Sequence, residues 1–191
     1  TMLVPGLLAG AHKARRIQCA NNMRNVALAL HNYHDTRGSL PPAWICERRD
    51  QNAPQWGWQT LILPVVEQNA LYDTLQPGPY SITDVFSLGP TGKQSLGVTG
   101  EQALSLDLST IQCPADRTDS PDGTRRFDQE LGVPQGWQPP VANLVANVGF
   151  FCRTANYENH GVMYGNSAIP MRAIVDGTSS TFLFGERDRL G

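Results

Sequence analysis

Apolar residues recur every three or four positions near the start of the chain, between Leu7 and Tyr33. This spacing is typical of an amphipathic α-helix. Gly38 and the pair Pro41-Pro42 follow and indicate where the helix ends. The pattern predicts one helix over residues 6–37, about 45 Å long, which is more than a compact domain of this size needs for its own core. The repeating positions are Leu7, Ala11, Ala14, Ile17, Ala20, Met23, Ala27, Leu30 and Tyr33.

The rest of the chain shows weaker patterns. A second helical pattern covers residues 58–74, with Pro64 either in its first turn or breaking it. Residues 76–100 and 114–140 are rich in turn-forming residues and are predicted to be long surface loops. Short strand candidates follow at Leu104–Ile111, Ala142–Phe151, Gly161–Tyr164, Ile169–Ile174 and Ser180–Phe184.

A helix first and strands later favours an α+β fold, in which the long amino-terminal helix packs on an antiparallel β-sheet with long loops. We expect residues 1–38 to form the helix, with the end of a membrane segment at its start, and residues 39–191 to form a globular α+β head. Most of the sheet should come from the chain after Leu104.

Composition narrows the class of protein. The chain has 191 residues, of which 40% are hydrophobic and 17% charged, and its net charge is −2. These values predict a single globular unit and argue against nucleic acid as a partner, because the chain has no global basic field. The apolar run from Met2 to Ala9 is too short to span a bilayer. We interpret it as the end of a membrane segment whose earlier half precedes residue 1. Arg15 and Arg16 then lie where cations meet lipid head groups, although a solvated helix face would look the same.

Four cysteines are spread along the chain: Cys19, Cys46, Cys113 and Cys152. None lies at the two-residue spacing of zinc ribbons or thioredoxin-like sites. An even number in a loop-rich chain fits two disulfides formed in an oxidising compartment. Four buried thiols in a cytosolic protein are the alternative, and four cysteines allow three different pairings.

Short motifs are distributed in one order over most of the chain outside the two loop-like stretches. They are Ala14–Met23, Ala27–Asp35, Gly38–Pro42, Gly57–Gln59, Leu63-Pro64, Glu67-Gln68, Leu71-Tyr72, Ile111–Asp116, Asn156-Tyr157, Ile174–Thr181 and Gly185-Glu186. Together they strongly resemble the planctomycete-type prepilin-like proteins, in which a prepilin cleavage and methylation segment is joined to domain of unknown function 1559. The cluster between Arg15 and Pro42 is the most specific part of this resemblance.

The resemblance implies a type IV pilin or pseudopilin fold, export through the inner membrane, processing by a prepilin peptidase, and display at the cell surface or in the periplasm. The cleavage motif is absent from these residues, and the late histidine and aspartate-glycine pair usual in the family are absent after Glu186. The resemblance also favours a disulfide between Cys19 and Cys113, because both lie inside matching motifs. Cys46 and Cys152 would then pair with each other.

Other candidate site residues have two interpretations each. His31 and His34 lie three residues apart beside Asp35, but a metal site would need a further ligand, so we expect them to hydrogen-bond the helix end. Asp176 and Glu186 are weak candidates for calcium, which needs six to eight oxygen ligands. The rings of Trp44, Trp56, Trp58 and Trp137 suit either a sugar or peptide platform or, as we favour, a cover over the core.

The leading functional hypothesis is a structural subunit of a type IV pilus or of a type II secretion pseudopilus. Its partners would be copies of itself or other pilin-like subunits, with the inner membrane reached through the preceding segment. The alternative is a membrane-tethered surface domain that binds carbohydrate or peptide. No catalytic constellation is recognisable, so we expect neither enzyme activity nor a cofactor. Assembly should use the apolar helix start, at Leu3, Val4, Leu7, Leu8 and Ala11.

Overall fold

The computed structural model describes residues 3–45, 56–78, 80–87, 96–106, 108–116, 137, 142–149 and 161–187, with side chains from Gly10 onward. The described elements are α1 (Leu3–Arg37), α2 (Trp58–Leu61), α3 (Asn69–Leu75), α4 (Ile82–Ser87), α5 (Gly100–Leu104), β1 (Leu144–Ala146) and β2 (Phe184–Glu186), with 3-10 helices at Leu63–Val66 and Met171–Ala173. The two strands are antiparallel. The predicted α+β class is therefore observed, with a long helix packed on an antiparallel sheet.

The long helix is confirmed, and it ends where the sequence predicts. Helix α1 runs without interruption for 35 residues. Gly38 follows with φ +76°, and its backbone N–H donates to the carbonyl oxygen of His34 at 2.7 Å. This left-handed conformation closes a helix end at little cost only when the residue is glycine.

The sheet lies after Leu104, as predicted, but the described residues form only two strands of three residues each. Leu144 pairs with Glu186 and Ala146 with Phe184. Backbone bonding continues one residue beyond each end of the pair, because the Asn147 amide donates to the Leu183 carbonyl at 2.9 Å and the Arg187 amide donates to the Asn143 carbonyl at 2.8 Å. The Asn147 side chain adds to these bonds: its Nδ2 donates to the Phe182 carbonyl at 2.7 Å and its Oδ1 accepts from the Gly149 amide at 3.1 Å.

The helical pattern predicted over residues 58–74 is broken near Pro64, one of the two outcomes expected, and the chain forms three short pieces there. Helix α2 ends at Leu61, a 3-10 helix covers Leu63–Val66, and α3 begins at Asn69. Pro64 has no N–H and cannot continue the α-helical bonding of α2. Glu67 then takes a left-handed φ of 63°, which ends the 3-10 helix.

Most of the strand candidates are also corrected. Leu104–Ile111 forms the end of α5 and turns, Gly161–Tyr164 forms bends, and Ile169–Ile174 contains the 3-10 helix. Within the two remaining candidates, the strands cover only Leu144–Ala146 and, starting at the last predicted residue, Phe184–Glu186. Residues 150–151 lie outside the described residues.

The predicted loop over residues 76–100 contains α4 and the start of α5. Each helix begins at a reciprocal cap. The Ser81 amide donates to the Asp84 carboxylate at 2.9 Å while the Asp84 amide donates to the Ser81 hydroxyl at 3.1 Å, and Thr99 and Gln102 form the same arrangement. The sequence signal was a serine or threonine three residues before an acid or amide. The second predicted loop, residues 114–140, lies mostly outside the described residues.

Two groups of buried side chains hold the head, meaning the described residues from Leu40 onward. The first lies between α1, α2, β1 and nearby loops, and consists of Val26, Ala29, Leu30, Leu40, Ala43, Trp58, Ile62, Leu144, Val162 and Met163. The second joins α3, α4 and α5, and consists of Trp56, Leu63, Leu71, Leu75, Val85 and Ala103. Val66 packs against both groups. Because only the first group includes α1, it determines how the helix is attached.

Candidate assembly helix

Burial divides α1 into two parts. Every side chain from Gly10 to Gln18 is exposed, whereas Cys19 is only 6% exposed. We call Gly10–Gln18 the protruding segment and Cys19–Tyr33 the anchored segment. The backbone of α1 continues from the protruding segment back to Leu3. The helical backbone of residues 3–18 therefore covers about 24 Å before Cys19, the first buried residue among those whose side chains are described.

The anchored segment packs on the head through one face, which carries Cys19, Met23, Val26, Leu30 and Tyr33. Cys19, Val26 and Leu30 are buried, and Met23 and Tyr33 are partly buried against the same group. Successive positions are four or three residues apart, so these side chains line one side of the helix. This part of α1 belongs to the hydrophobic core, as expected for the later part of the helix.

A second face points away from the head. It consists of Gly10, Ala14, Ile17, Asn21, Arg24 and Leu28, all of them exposed. Ile17 is 54% exposed and Leu28 is 55% exposed. Ile17 precedes Val26 by nine residues, or about two and a half turns, so the two side chains point to opposite sides. We call this second face the outward face.

The predicted apolar stripe is therefore not a single face. Ala14 and Ile17 belong to the outward face, whereas Leu30 points into the core. The stripe advances mostly by three residues, and each such step turns only about 300°, so the apolar positions wind around the helix. Of the predicted assembly residues, Ala11 is exposed. Leu3, Val4, Leu7 and Leu8 lie on the backbone of α1, and their side chains are outside the described residues.

A disulfide lies at the boundary between the two parts of α1. It joins Cys19 to Cys113, with a Cα–Cα distance of 4.8 Å and a sequence separation of 94 residues. This bond is the one that the family resemblance favoured. Cys46 and Cys152 lie outside the described residues, so their pairing remains a prediction. The disulfide fixes the segment around Cys113 against the point where α1 leaves the head.

Asn22 adds a second link between α1 and the same segment. Its side-chain Nδ2 donates to the carbonyl oxygens of Ser109 at 2.6 Å and Gln112 at 2.8 Å. Sequence reasoning did not single out this residue. An asparagine in the middle of a helical pattern is a weak helix former, which is the only signal that it has a specific partner.

Asn143 links the same segment to the strands. It is 2% exposed, and its Oδ1 accepts from the Cys113 amide at 2.9 Å. Its Nδ2 donates to the Asp116 carboxylate, and its backbone carbonyl accepts from the Arg187 amide at 2.8 Å. A buried amide with each polar group bonded rigidifies its surroundings. The sequence signal was a pair of asparagines, Asn143 and Asn147, inside an apolar run, and it was missed.

The metal candidates do not form a site with one another. His34 uses Nε2 to accept from the Met171 amide at 3.1 Å, so it bonds the distant 3-10 helix and not the end of α1 as predicted, and His31 is exposed. In the described part of the chain, Glu186 lies within 4.8 Å of the sulfurs of Cys19 and Cys113, but Asp176 is not in this group. Sulfurs already joined in a disulfide are not thiolate ligands.

The tryptophan rings serve mainly to pack the head. Trp56 and Trp58 are 2% and 3% exposed, and Trp58 lies against the Phe184 ring with centroids 5.9 Å apart. Trp137 meets the Phe86 ring edge-on at 4.9 Å. Trp44 is partly buried against the first core group. The favoured interpretation, a cover over the core, agrees with these contacts.

None of the helices in the described residues combines the length and apolarity required to cross a membrane.

Comparison with known protein families matches residues 11–190 to a family described as "Protein of unknown function (DUF1559)". No curated protein and no solved structure matches the chain. The matched range covers almost the whole protruding segment, the anchored segment with its disulfide, and the head. The chain therefore belongs to the DUF1559 family.

Proposed function

We propose that the chain is an exported, pilin-like structural subunit that assembles through the outward face of α1 with copies of itself or with other pilin-like subunits. It would be displayed at the cell surface or in the periplasm and would have no catalytic role. The protruding segment supports this role most directly. The nine residues of the protruding segment, about 14 Å of helix, are all exposed and offer a surface that the described part of the head does not cover.

The outward face has the spacing needed to pack on another helix. Its positions alternate steps of four and three residues from Gly10 to Leu28, and the exposed Arg24 lies between Asn21 and Leu28 at the same spacing. Side chains at this spacing interlock between neighbouring helices. Gly10 and Ala14 are small and allow close approach of two helices. Ile17 and Leu28 still expose about half of their surface, so burying them contributes roughly 1 kcal/mol each.

The disulfide supports export. Structural disulfides persist mainly in oxidising compartments such as the periplasm or the cell exterior. The bond lies where the protruding helix leaves the head. A neighbouring subunit bound to the protruding segment would exert its force on the head at this point.

Packing of the tryptophan rings favours assembly over the alternative of a sugar- or peptide-binding domain. A binding platform needs ring faces that are open to a ligand. Trp56 and Trp58 are buried, and Trp137 is engaged with Phe86 and with the Ser105 hydroxyl.

The test is self-association measured by sedimentation velocity and negative-stain microscopy over a concentration series. We expect the unmodified chain to form oligomers or filaments as its concentration rises. The double substitution Ala14→Gln and Ile17→Gln should leave a monomer with an unchanged melting transition. Ala20→Gln is the matched control, because Ala20 is exposed on the same helix but does not belong to the outward face.

The double substitution Leu7→Glu and Leu8→Glu tests the earlier part of the helix and should also abolish association. Association that persists in both double variants, or an unmodified chain that stays monomeric throughout, would contradict the proposal. Loss of a cooperative melt in either variant would place its residues in the core of a compact domain instead.

A further inference from the structure

We infer that a turn on the head of one copy binds the protruding segment of a second copy of the chain. The turn covers residues 174–183, and we call it the head turn. Its partner is a patch on the protruding segment formed by Lys13, Arg16 and Ile17, which we call the basic patch. The inference rests on the proposed function, because it names the surface of a neighbouring copy that contacts α1.

The head turn exposes two large apolar side chains. Val175 is 92% exposed and Phe182 is 83% exposed, the highest values among the large hydrophobic residues in the described part of the chain. Apolar residues scattered singly over a protein surface are common. These two belong to the same turn, and exposed apolar side chains gathered at one place indicate a surface that binds another protein.

Backbone hydrogen bonds and the core hold the head turn in shape. The Gly177 carbonyl accepts from the Ser180 amide at 3.1 Å and from the Thr181 hydroxyl at 3.1 Å. The Gly177 amide donates to the Ile174 carbonyl at 3.3 Å. Ile174 and Leu183, at the two ends of the turn, pack against the first group of buried side chains. A surface that is already ordered in the single chain loses little conformational freedom when it binds.

The head turn and the basic patch carry opposite charges. Asp176 is exposed and provides the charge of the head turn. Lys13 and Arg16 are exposed, and the first acidic residue of α1 is Asp35 in its last turn. Within the described residues the ion pair joins His34 to Asp35, so the charges of both surfaces are available to a partner. Opposite charges favour contact between turn and patch, whereas two basic patches repel each other.

The basic patch places an apolar side chain beside its cations. Lys13 precedes Arg16 by three residues and Ile17 by four, so the three side chains are neighbours on one side of α1. Ile17 is 54% exposed. A partner that presents apolar side chains around one carboxylate matches this arrangement, and the head turn has that composition.

Contact between these two surfaces joins different copies. Ile17 and Phe182 both remain exposed in the single chain, so the chain does not cover either surface itself. Each copy would use its head turn toward one neighbour and its basic patch toward another, which makes the interface heterologous. Heterologous interfaces form rings when the rotation closes and open filaments when it does not.

The test is sedimentation velocity of two full-chain variants, alone and mixed. The turn variant carries Val175→Ser and Phe182→Ser and should associate at least about 30-fold more weakly than the unmodified chain. The patch variant carries Lys13→Glu and Arg16→Glu and should associate about tenfold more weakly. Both variants should keep a cooperative melt, because all four side chains are exposed.

Mixing the turn variant and the patch variant tests the heterologous geometry. Each variant keeps one intact surface, so the mixture should form one-to-one pairs at concentrations at which each variant alone is monomeric. The pairs should not grow, because their outer surfaces are the altered ones. A mixture that forms no pairs would overturn the inference.

Charge reversal tests the role of Asp176. Asp176→Lys alone should weaken association about fivefold. Added to the patch variant, the same substitution restores opposite charges and should return association to within about threefold of the unmodified chain. Further weakening in this combined variant would overturn the inference.

The control variant carries Leu96→Ser and Leu106→Ser, which are 38% and 40% exposed and lie outside the head turn. It should associate within about twofold of the unmodified chain. Equal weakening of the control variant and the turn variant would overturn the inference.

A variant with Ala14→Gln and Leu28→Gln separates the inference from the proposed function, because both residues lie on the outward face but not in the basic patch. If this variant loses association and the turn variant keeps it, the inference is overturned and assembly through the outward face stands. If the turn and patch variants lose association and this variant keeps it, the inference stands and assembly through the outward face is rejected.

Discussion

The protruding and anchored segments belong to one helix but have different kinds of support. The anchored segment packs five side chains on the head, carries a disulfide at its first residue and bonds Ser109 and Gln112 through Asn22. The protruding segment has no buried side chain. Helix nucleation is costly whereas extension of an existing helix is not, so the anchored segment provides the nucleus from which the protruding one extends. A uniform secondary structure can therefore hide two parts with separate roles.

The largest expected effect comes from removing the disulfide at the boundary between the two segments. The double substitution Cys19→Ala and Cys113→Ala opens a link across 94 residues. In the chain-entropy model this lowers the free energy of unfolding by about 3–5 kcal/mol. Urea denaturation of the double variant and the unmodified chain measures the difference. A loss below about 1 kcal/mol would show that the core and the asparagine bonds hold the helix without the covalent link.

Two leucines on opposite sides of the anchored segment provide the next test. Leu30→Ala removes a side chain with 0% exposure and should lower the free energy of unfolding by about 2–5 kcal/mol. Leu28→Ala, at 55% exposure, is the matched control and should cost less than about 1 kcal/mol. Thermal and urea denaturation of both variants as monomers give the comparison. Similar losses in the two variants would mean that Leu28 is covered in solution.

Neighbouring asparagines test the polar attachment of α1. Asn22→Ala removes the two bonds to the Ser109 and Gln112 carbonyls and should cost about 0.5–1.5 kcal/mol. Asn21→Ala changes the same residue type on the exposed side of the helix, where it should be neutral or slightly stabilising because alanine is the better helix former. Equal effects of the two substitutions on the urea midpoint would contradict the assignment of a specific role to Asn22.

The smallest expected effect concerns Tyr33 at the end of the anchored segment. Burial raises the pKa of its hydroxyl above the ordinary value of 10.0, against the opposing charge of Arg37. The folded state therefore disfavours ionisation, so this contribution to stability is present below about pH 10 and is lost as the pH rises through the folded-state pKa. Tyr33→Phe should reduce the loss of stability between about pH 9 and pH 11. An identical alkaline slope in both proteins, measured by urea denaturation, would exclude this contribution.

The long helix of this fold was predictable from the sequence, whereas the short strands, which depend on contacts between distant residues, were not. Helix α1 and its end at Gly38 follow from a pattern of many turns and a glycine with a positive φ. Pro64 showed where the next helix breaks, although not that three pieces would result. The strands could not be located because each has three residues and depends on Asn143 and Asn147, whose partners lie far along the chain.

The candidate site divides in the same way. The Cys19–Cys113 pair was anticipated from resemblance to the family, whereas a role for the apolar start of the helix stays a prediction. The outward face was not anticipated. Repeated three-residue steps look like one stripe in the sequence, although they place Ile17 and Leu30 on different sides of the helix. Only the positions of the head residues show which side of the helix is covered.

The disulfide also determines how the protein would respond to mechanical tension. A pull between the protruding segment and the carboxyl-terminal strand β2 enters at Cys19 and crosses directly to Cys113. The chain between these cysteines, which includes most of the anchored segment and helices α2 to α5, stays within a covalent loop and bears no extension. The disulfide thereby keeps roughly 300 Å of contour length from being stretched, and only the chain before Cys19 and beyond Cys113 can extend.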